Sequence, residues 1–460
     1  SADKPSRLIP GLAESWTVDP ADSKHWTFKL RDTRFHDGSP WNADAAIWNL
    51  DASLNRNAPQ FNPARAGANG SRVATIASYS KVDDHTLAIE TKFPDGFLPY
   101  ELASFFFVSP ARFAEVGNDW AKFAQNPSGT GPYSFVSLQP KQRLTLAANE
   151  GYWNKDRIPK TKTLELLPIS DPNTRVAALL SGQVDLVDTL PTDAVDTVKA
   201  AGFTVTQNTY PHTWLWRLNF TKDSPFSDIR VRKAANLAID RQSIVDFLNG
   251  AATPAKGFAP PTSPWFGAPS FELKYDPDEA RKLLAEAGYG PDHPVKLKVV
   301  ISSSGGGQMT PLSMNEIIQQ NLHDVGIDVT YDVRDFTAMI NMLRQGAKAV
   351  GADAINVAMT MQDPPSGIAA YESTLAPPAG GNWGFYNNPD FDKAIRAARA
   401  EFGPAKQEAA LAKVNEVLTN DAAALLVVHD TGPRGLSPKL KGFTQVQNWY
   451  QDFTSIVKVE

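Results

Sequence analysis

No cysteine occurs anywhere in the 460 residues, which removes disulfides, thiolate nucleophiles and cysteine-ligated zinc or iron–sulfur centres. Long apolar runs are missing too. The strongest stretches, Leu102 to Val108 and Ala422 to Val428, fall far short of the ~20 residues that span a bilayer. An excess of positive charge is also absent: Lys+Arg is 45 against Asp+Glu 50, a net charge of -5. A field of that sign opposes phosphate backbones and anionic surfaces, so nucleic acid is not an expected partner. The opening residues from Ser1 to Arg7 carry no apolar leader segment, so a signal peptide is expected to be absent or already removed. A chain without stray thiols fits export to an oxidising compartment.

What is present is a globular composition. Hydrophobic residues make up 42% of the chain, enough for a sizeable core. At ~150 residues per domain the length predicts about three units or one two-lobed body. Glu14 to Val18 and His25 to Leu30 flank a turn-rich segment and predict an antiparallel pair, followed by a helix capped by Asn42. Asp171-Pro172 and Asp276-Pro277 predict helix starts, with Gly182 and Gly288 as their stops. From Leu297 to Met359 the pattern alternates. Strands at Leu297 to Ile301, Ile327 to Val333 and Ala354 to Met359 are separated by helices at about Leu312 to Val325 and Asp335 to Gln345. Crossovers of that length predict a parallel α/β sheet with a crevice at its carboxyl end.

Catalytic and cofactor motifs are not found. Gly129-Thr-Gly131-Pro lacks the third glycine of a dinucleotide fingerprint, and Ser304-Gly-Gly-Gly307 lacks the Lys-Ser/Thr of a phosphate loop. The histidines are scattered without metal-ligand spacing, and His36 beside Asp37-Gly38 reads as a turn residue. Asp83-Asp84 beside His85 reads as a solvated turn, because nothing nearby supplies an apolar pocket to raise a carboxyl pKa. Neither a cofactor nor a metal is expected.

A series of segments in order along the chain carries more information. It runs through Pro10-Gly-Leu-Ala-Glu-Ser-Trp16, Trp26-Thr-Phe-Lys-Leu-Arg31, Phe35-His-Asp-Gly-Ser-Pro40, Asp83-Asp-His-Thr-Leu87, Gly129-Thr-Gly-Pro-Tyr133 and Asn149-Glu-Gly-Tyr-Trp-Asn154. It continues with Pro225-Phe-Ser-Asp-Ile-Arg-Val-Arg232, Ala238-Ile-Asp-Arg241, Ala280-Arg-Lys-Leu-Leu-Ala-Glu-Ala-Gly288 and Asn387-Asn-Pro-Asp-Phe-Asp392. The ordered set resembles the bacterial extracytoplasmic solute-binding proteins of dipeptide, oligopeptide and nickel ABC importers, family 5, cluster C. Physically most of these motifs are structural: Trp16, Trp26 and Trp153 suit cores and seams, and Arg230, Arg232 and Arg241 suit helix anchoring.

The resemblance implies an α/β, two-lobed periplasmic-binding-protein fold of type II with an extra subdomain in lobe one. Residues 1–155 would form that small subdomain, 156–245 plus 438–460 the rest of lobe one, and 246–437 lobe two. Only nine residues precede Pro10, so the first strand usual in the family is expected to be missing from this sequence. The implied function is capture of a small molecule or short peptide between closing lobes and delivery to an inner-membrane permease, by a periplasmic, non-enzymatic monomer. The alternatives are an extracytoplasmic hydrolase of carbohydrate or peptide, and a ligand sensor on the same scaffold.

Ligand contacts in the family come from segments matching Tyr210 to Asn219 and Asn356 to Asp363. On a strand Trp214, Trp216 and Leu218 share one face, and Leu215, Arg217 and Asn219 the other, one toward core and one toward cleft. Arg217 is either a bidentate fork for a ligand anion or a structural or snorkelling residue. Peptide binders hold the ligand ammonium with an aspartate three residues before the acid of an Asp-Pro pair; counting back from Asp363 gives Thr360, which supplies no charge. The expected site is therefore Tyr210, Trp214, Leu215, Trp216, Arg217, Phe336, Asn356, Ala358, Thr360, Asp363 and Trp383. Its expected ligand has an anionic group and an apolar or aromatic body stacked among Trp214, Trp216, Phe336 and Trp383.

Overall fold

A computed structural model describes residues 8–459 apart from 211, 306, 360–366, 378, 448–449 and the side chains at 68 and 71. The first strand pair forms as expected: Ala13–Val18 lies antiparallel to His25–Leu30, and Thr86–Thr91 and Ile76–Asp83 complete a four-stranded sheet. Asn42 caps helix Ala43–Leu54 by accepting from the Ala45 amide, and the helix packs with Trp26, Phe28 and Ile89 into a separate core. The turn residues behave as polar spacers. His36 bonds the Gly131 carbonyl at 2.9 Å, while Asp83 and Asp84 bind Thr86 and Lys81 at the surface.

Lobe one is built from two three-stranded sheets. One contains Tyr133–Gln139, Arg143–Ala148 and Thr163–Leu166; the other contains Leu186–Val187, Arg434–Leu436 and Thr204–Thr206. The chain's last residues tie to the first of these sheets, since Tyr133 Oη donates to the Phe453 carbonyl and Thr161 Oγ1 to that of Ile456.

Lobe two is a six-stranded sheet in the order Ala252–Pro254, Ala424–Asp430, Thr213–Leu218, Ala354–Met359, Val295–Ser302, Ile327–Arg334. The expected parallel run is present, as Val295–Ser302 pairs parallel with both Ile327–Arg334 and Ala354–Met359. The sheet as a whole is mixed, because Thr213–Leu218 enters antiparallel to Ala354–Met359 and Ala424–Asp430. Helices cover both faces: Ile229–Ala238, Pro277–Glu286 and Pro311–His323 on one side, Phe336–Gln345, Pro389–Arg399 and Pro404–Asn420 on the other. A sheet buried on both faces takes continuous apolar strands, hence Ala-Leu-Leu-Val-Val in Ala424–Asp430. The glycine stops Gly182 and Gly288 fall where predicted, both at positive φ, and Gly326 and Gly346, which follow the next two helices, are at positive φ as well.

Strand pairing draws the bodies differently from the expected boundaries. Thr213–Leu218 and helix Ile229–Ala238 belong to lobe two, so that lobe begins near 213 rather than 246. It ends at Asp430, because Arg434–Leu436 pairs with lobe-one strands on both sides. The sheet starting at Tyr133 is a separate three-stranded sheet, tied to the C-terminal tail through Tyr133 and Thr161. The reason is register: backbone pairing of the central strand recruits a segment whose local sequence looks the same in either lobe.

Candidate functional site

Between the lobes lies a cleft of about 1700 Å³. Its lobe-one wall contains every residue from 163 to 170 and from 183 to 193. Each run includes a short strand, Thr163–Leu166 in the first and Leu186–Val187 in the second. Among the described residues Thr163–Leu166 pairs only with Arg143–Ala148, and Leu186–Val187 only with Arg434–Leu436. Each is therefore the edge strand of its sheet, with one edge that has no strand partner among the described residues.

The lobe-two wall is the loop after Val295–Ser302, with Ser303, Ser304 and Gly305, followed by the start of helix Pro311–His323. It sits at the carboxyl end of a parallel strand, where the sheet topology places a crevice. No side chain caps this helix, so its first N–H groups and partial positive charge lie at the cleft wall. Phe336 packs on Gly305, where an added Cβ would collide with its ring.

Charges of both signs line the cleft, and several are paired within its lobe-one wall: Arg143 with Glu165 at 3.1 Å, Lys458 with Asp185 at 2.9 Å, and Arg434 with Asp188 at 2.6 Å. In the last pair the arginine side chain is 4% exposed and the aspartate 57%. Tyr210 and Asp430 complete the floor.

The structure brings only part of the expected site together. Phe336 and Tyr210 line the cleft, but Tyr210 is fully buried. The division of the central strand into one core face and one cleft face gives way to two core faces. Trp214, Trp216 and Leu218 lie in the core on one side and Leu215 in the core on the other. Trp216 Nε1 donates to Asn315 Oδ1 at 2.9 Å, and Asn315 Nδ2 donates to Asn356 Oδ1, so Asn356 belongs to a buried relay. Ala358 is half-buried, paired with Trp214. Trp383 is buried in the second core.

Arg217 turns into lobe two, where its Nη2 donates to the carbonyls of Ala370 and Gly381 and its guanidinium lies 5.3 Å from the Tyr371 ring. Burial lowers its pKa. Thr360 and Asp363 lie outside the described residues. The tryptophan-stacked ligand body expected from the sequence therefore has no open face among Trp214, Trp216 and Trp383. Arg434, Asp188 and the Ser303–Gly305 loop escaped the sequence reading. The loop could have been flagged, since it follows a strand of the predicted parallel run.

Comparison with known proteins decides the family. The model described as "Bacterial extracellular solute-binding proteins, family 5 Middle" matches residues 7–390. The chain belongs to this family. It is 28% identical to heme-binding protein A of Haemophilus influenzae over 98% of this chain and 84% of that protein. The glutathione-binding protein GsiB of Pectobacterium atrosepticum is also 28% identical, over 96% of this chain and 84% of that one. The fold matches the periplasmic binding protein DppA of Helicobacter pylori, solved with the peptide STSA, at a TM-score of 0.84 and 21% identity over 99% of this chain and 90% of that one.

This family 5 protein thus has the two-lobed periplasmic-binding-protein fold, and it is the solute-binding component of an ABC importer. Family members are binding proteins rather than enzymes. No helix among the described residues is long and apolar enough to cross a membrane.

Proposed function

We propose that the protein works in the periplasm as a monomer, holding a peptide-like solute with an anionic group and an apolar group in its cleft and handing it to an inner-membrane permease. The observation that carries this reading is the pair of sheet-edge strands that line the cleft. Unpaired backbone groups recognise a solute that carries amide N–H and C=O groups of its own, as in strand addition to a sheet edge. The start of helix Pro311–His323 suits the anionic group, and Phe336 suits an apolar one. Relatives named for heme and glutathione, and a neighbour solved with a peptide, fit a scaffold whose specificity lies in wall residues rather than in the fold. Of the residues expected from the sequence, Phe336 and Tyr210 remain in this reading as wall and floor. Arg217, Trp214, Trp216, Leu215, Asn356, Ala358 and Trp383 support the wall from behind.

Native mass spectrometry of the purified protein tests the reading directly. A retained adduct with amide and carboxylate groups is expected; a retained sugar, or turnover of the adduct to products, would overturn it.

A further inference from the structure

The chain crosses between the lobes twice, from Thr204–Thr206 to Thr213–Leu218 and from Ala424–Asp430 back to Arg434–Leu436. The two crossings run side by side, with the Asn208 amide donating to the Thr431 carbonyl and the Tyr210 amide to the Asp430 carbonyl, both at 3.0 Å. Tyr210 joins them to lobe one. Its hydroxyl accepts from Arg434 Nη2 and from Gln445 Nε2, each at 3.0 Å. Gln445 Nε2 also reaches the Gly432 carbonyl at 2.7 Å, and Arg434 Nη1 reaches the same carbonyl at 2.8 Å. The Tyr210 ring lies against Gly432, which sits at φ +50 and has no room for a Cβ.

Tyr210 is fully buried yet belongs to none of the apolar cores of either lobe or of the small subdomain. A large aromatic residue that fills no core, and whose hydroxyl is held by Arg434 at the end of one crossing and by Gln445 of the C-terminal tail, acts on the relation between the bodies. We infer that Tyr210 is a positioning residue: with Arg434, Gln445 and Gly432 it forms a brace that fixes the setting of the two crossings and thereby the angle at which the lobes meet. The inference builds on the cleft being the binding site, but not on what binds there. Arg434 also carries the brace to the cleft through Asp188, so a solute that drew Asp188 away would alter the grip on Tyr210.

The cysteine-free chain allows a direct measurement. Spin labels on Asn173→Cys and Leu312→Cys, one on each cleft wall, report the distance between lobes in the solute-free protein. Failure here is therefore separate from failure of the solute assignment. Tyr210→Phe is expected to broaden the distance distribution about twofold and to speed amide exchange at Asn208 and Tyr210 by about tenfold, while the exchange of both lobe cores stays as in the parent. Gly432→Ala is expected to shift the mean distance, because the added methyl meets the Tyr210 ring. Gln445→Leu, which leaves tyrosine and glycine in place, is expected to broaden the distribution as Tyr210→Phe does. Unchanged distributions in all three variants would overturn the brace. So would broadening accompanied by equally faster exchange throughout either lobe core, which would mark Tyr210 as ordinary structural support.

Discussion

Arg399 and Asp95 form an ion pair at 3.1 Å across 304 positions of sequence. The same guanidinium binds Glu101 at 3.2 Å and Glu372 at 3.0 Å, and Phe97 inserts beside it into the core of lobe two. This cluster seats the small subdomain on lobe two. Burial alone would lower the Arg399 pKa, but the carboxylates of Glu101, Asp95 and Glu372 outweigh it and hold the arginine charged.

Removing that arginine leaves three buried carboxylates without their counter-charge. Arg399→Met should destabilise the protein by about 3–5 kcal/mol, the range for breaking a buried pair from one side. Urea unfolding at neutral pH checks it, and a loss under 1 kcal/mol would contradict the account.

Backbone contact makes the same seat sensitive to a single methyl. The Gly96 amide donates to the Arg399 carbonyl, Gln407 Nε2 donates to that of Gly96, and a Cβ on Gly96 would collide with the Glu401 carbonyl. Gly96→Ala should cost about 1–3 kcal/mol by overpacking and expose the 93–105 segment to limited proteolysis before the rest of the chain. A cleavage pattern identical to the parent's would count against it.

Two histidines at the lobe crossings give a pH dependence with a definite sign. Burial pushes His429 down to about 4, and burial followed by the neighbouring His429 pushes His212 down to about 3. Unfolded, both titrate near 6.5. Between those limits the unfolded chain binds more protons, so this contribution is complete above about pH 6.5 and is lost as pH falls toward 4. Each histidine contributes a slope of up to about 1.4 kcal/mol per pH unit in that window. His429→Asn should reduce the slope of stability against pH between 4 and 6 by roughly one such share; an unaltered slope would be incompatible with a neutral buried ring.

Arg217 distinguishes a supporting residue from a ligand contact. Arg217→Ala leaves the carbonyls of Ala370 and Gly381 without the donor they share, at about 1–3 kcal/mol for each unmet buried group. Thermal unfolding should show the loss. An undiminished midpoint together with weakened binding of the retained solute would instead place the guanidinium on the ligand.

Local chemistry was legible wherever a residue acts on its sequence neighbours. Asp171 and Asp276 cap the helices they were expected to cap, because a carboxylate reaches an amide three residues on whatever surrounds it. The strand and helix alternation from 295 to 359 followed from periodicity in the same way. The site was less legible. Leu215 and Trp216 alternate like a half-buried strand, yet helices packed from far along the chain close over both faces, and nothing in the six residues of Thr213–Leu218 encodes that second layer.

The sequence by itself determined the capped helices, the absence of thiol chemistry and the alternating strands and helices from 297 to 359, because each rests on residue type and short spacing, and its ordered motifs carried the resemblance that implied the family and the two-lobed plan. Only the tertiary structure decided where one lobe ends and the other begins, that Arg217 faces carbonyls of its own lobe, and that Tyr210 is gripped by Arg434 and Gln445 more than 200 positions away. Those contacts depend on which strand edges pair and which faces are covered, and burial of that kind is a property of the packed sheet rather than of any segment within it.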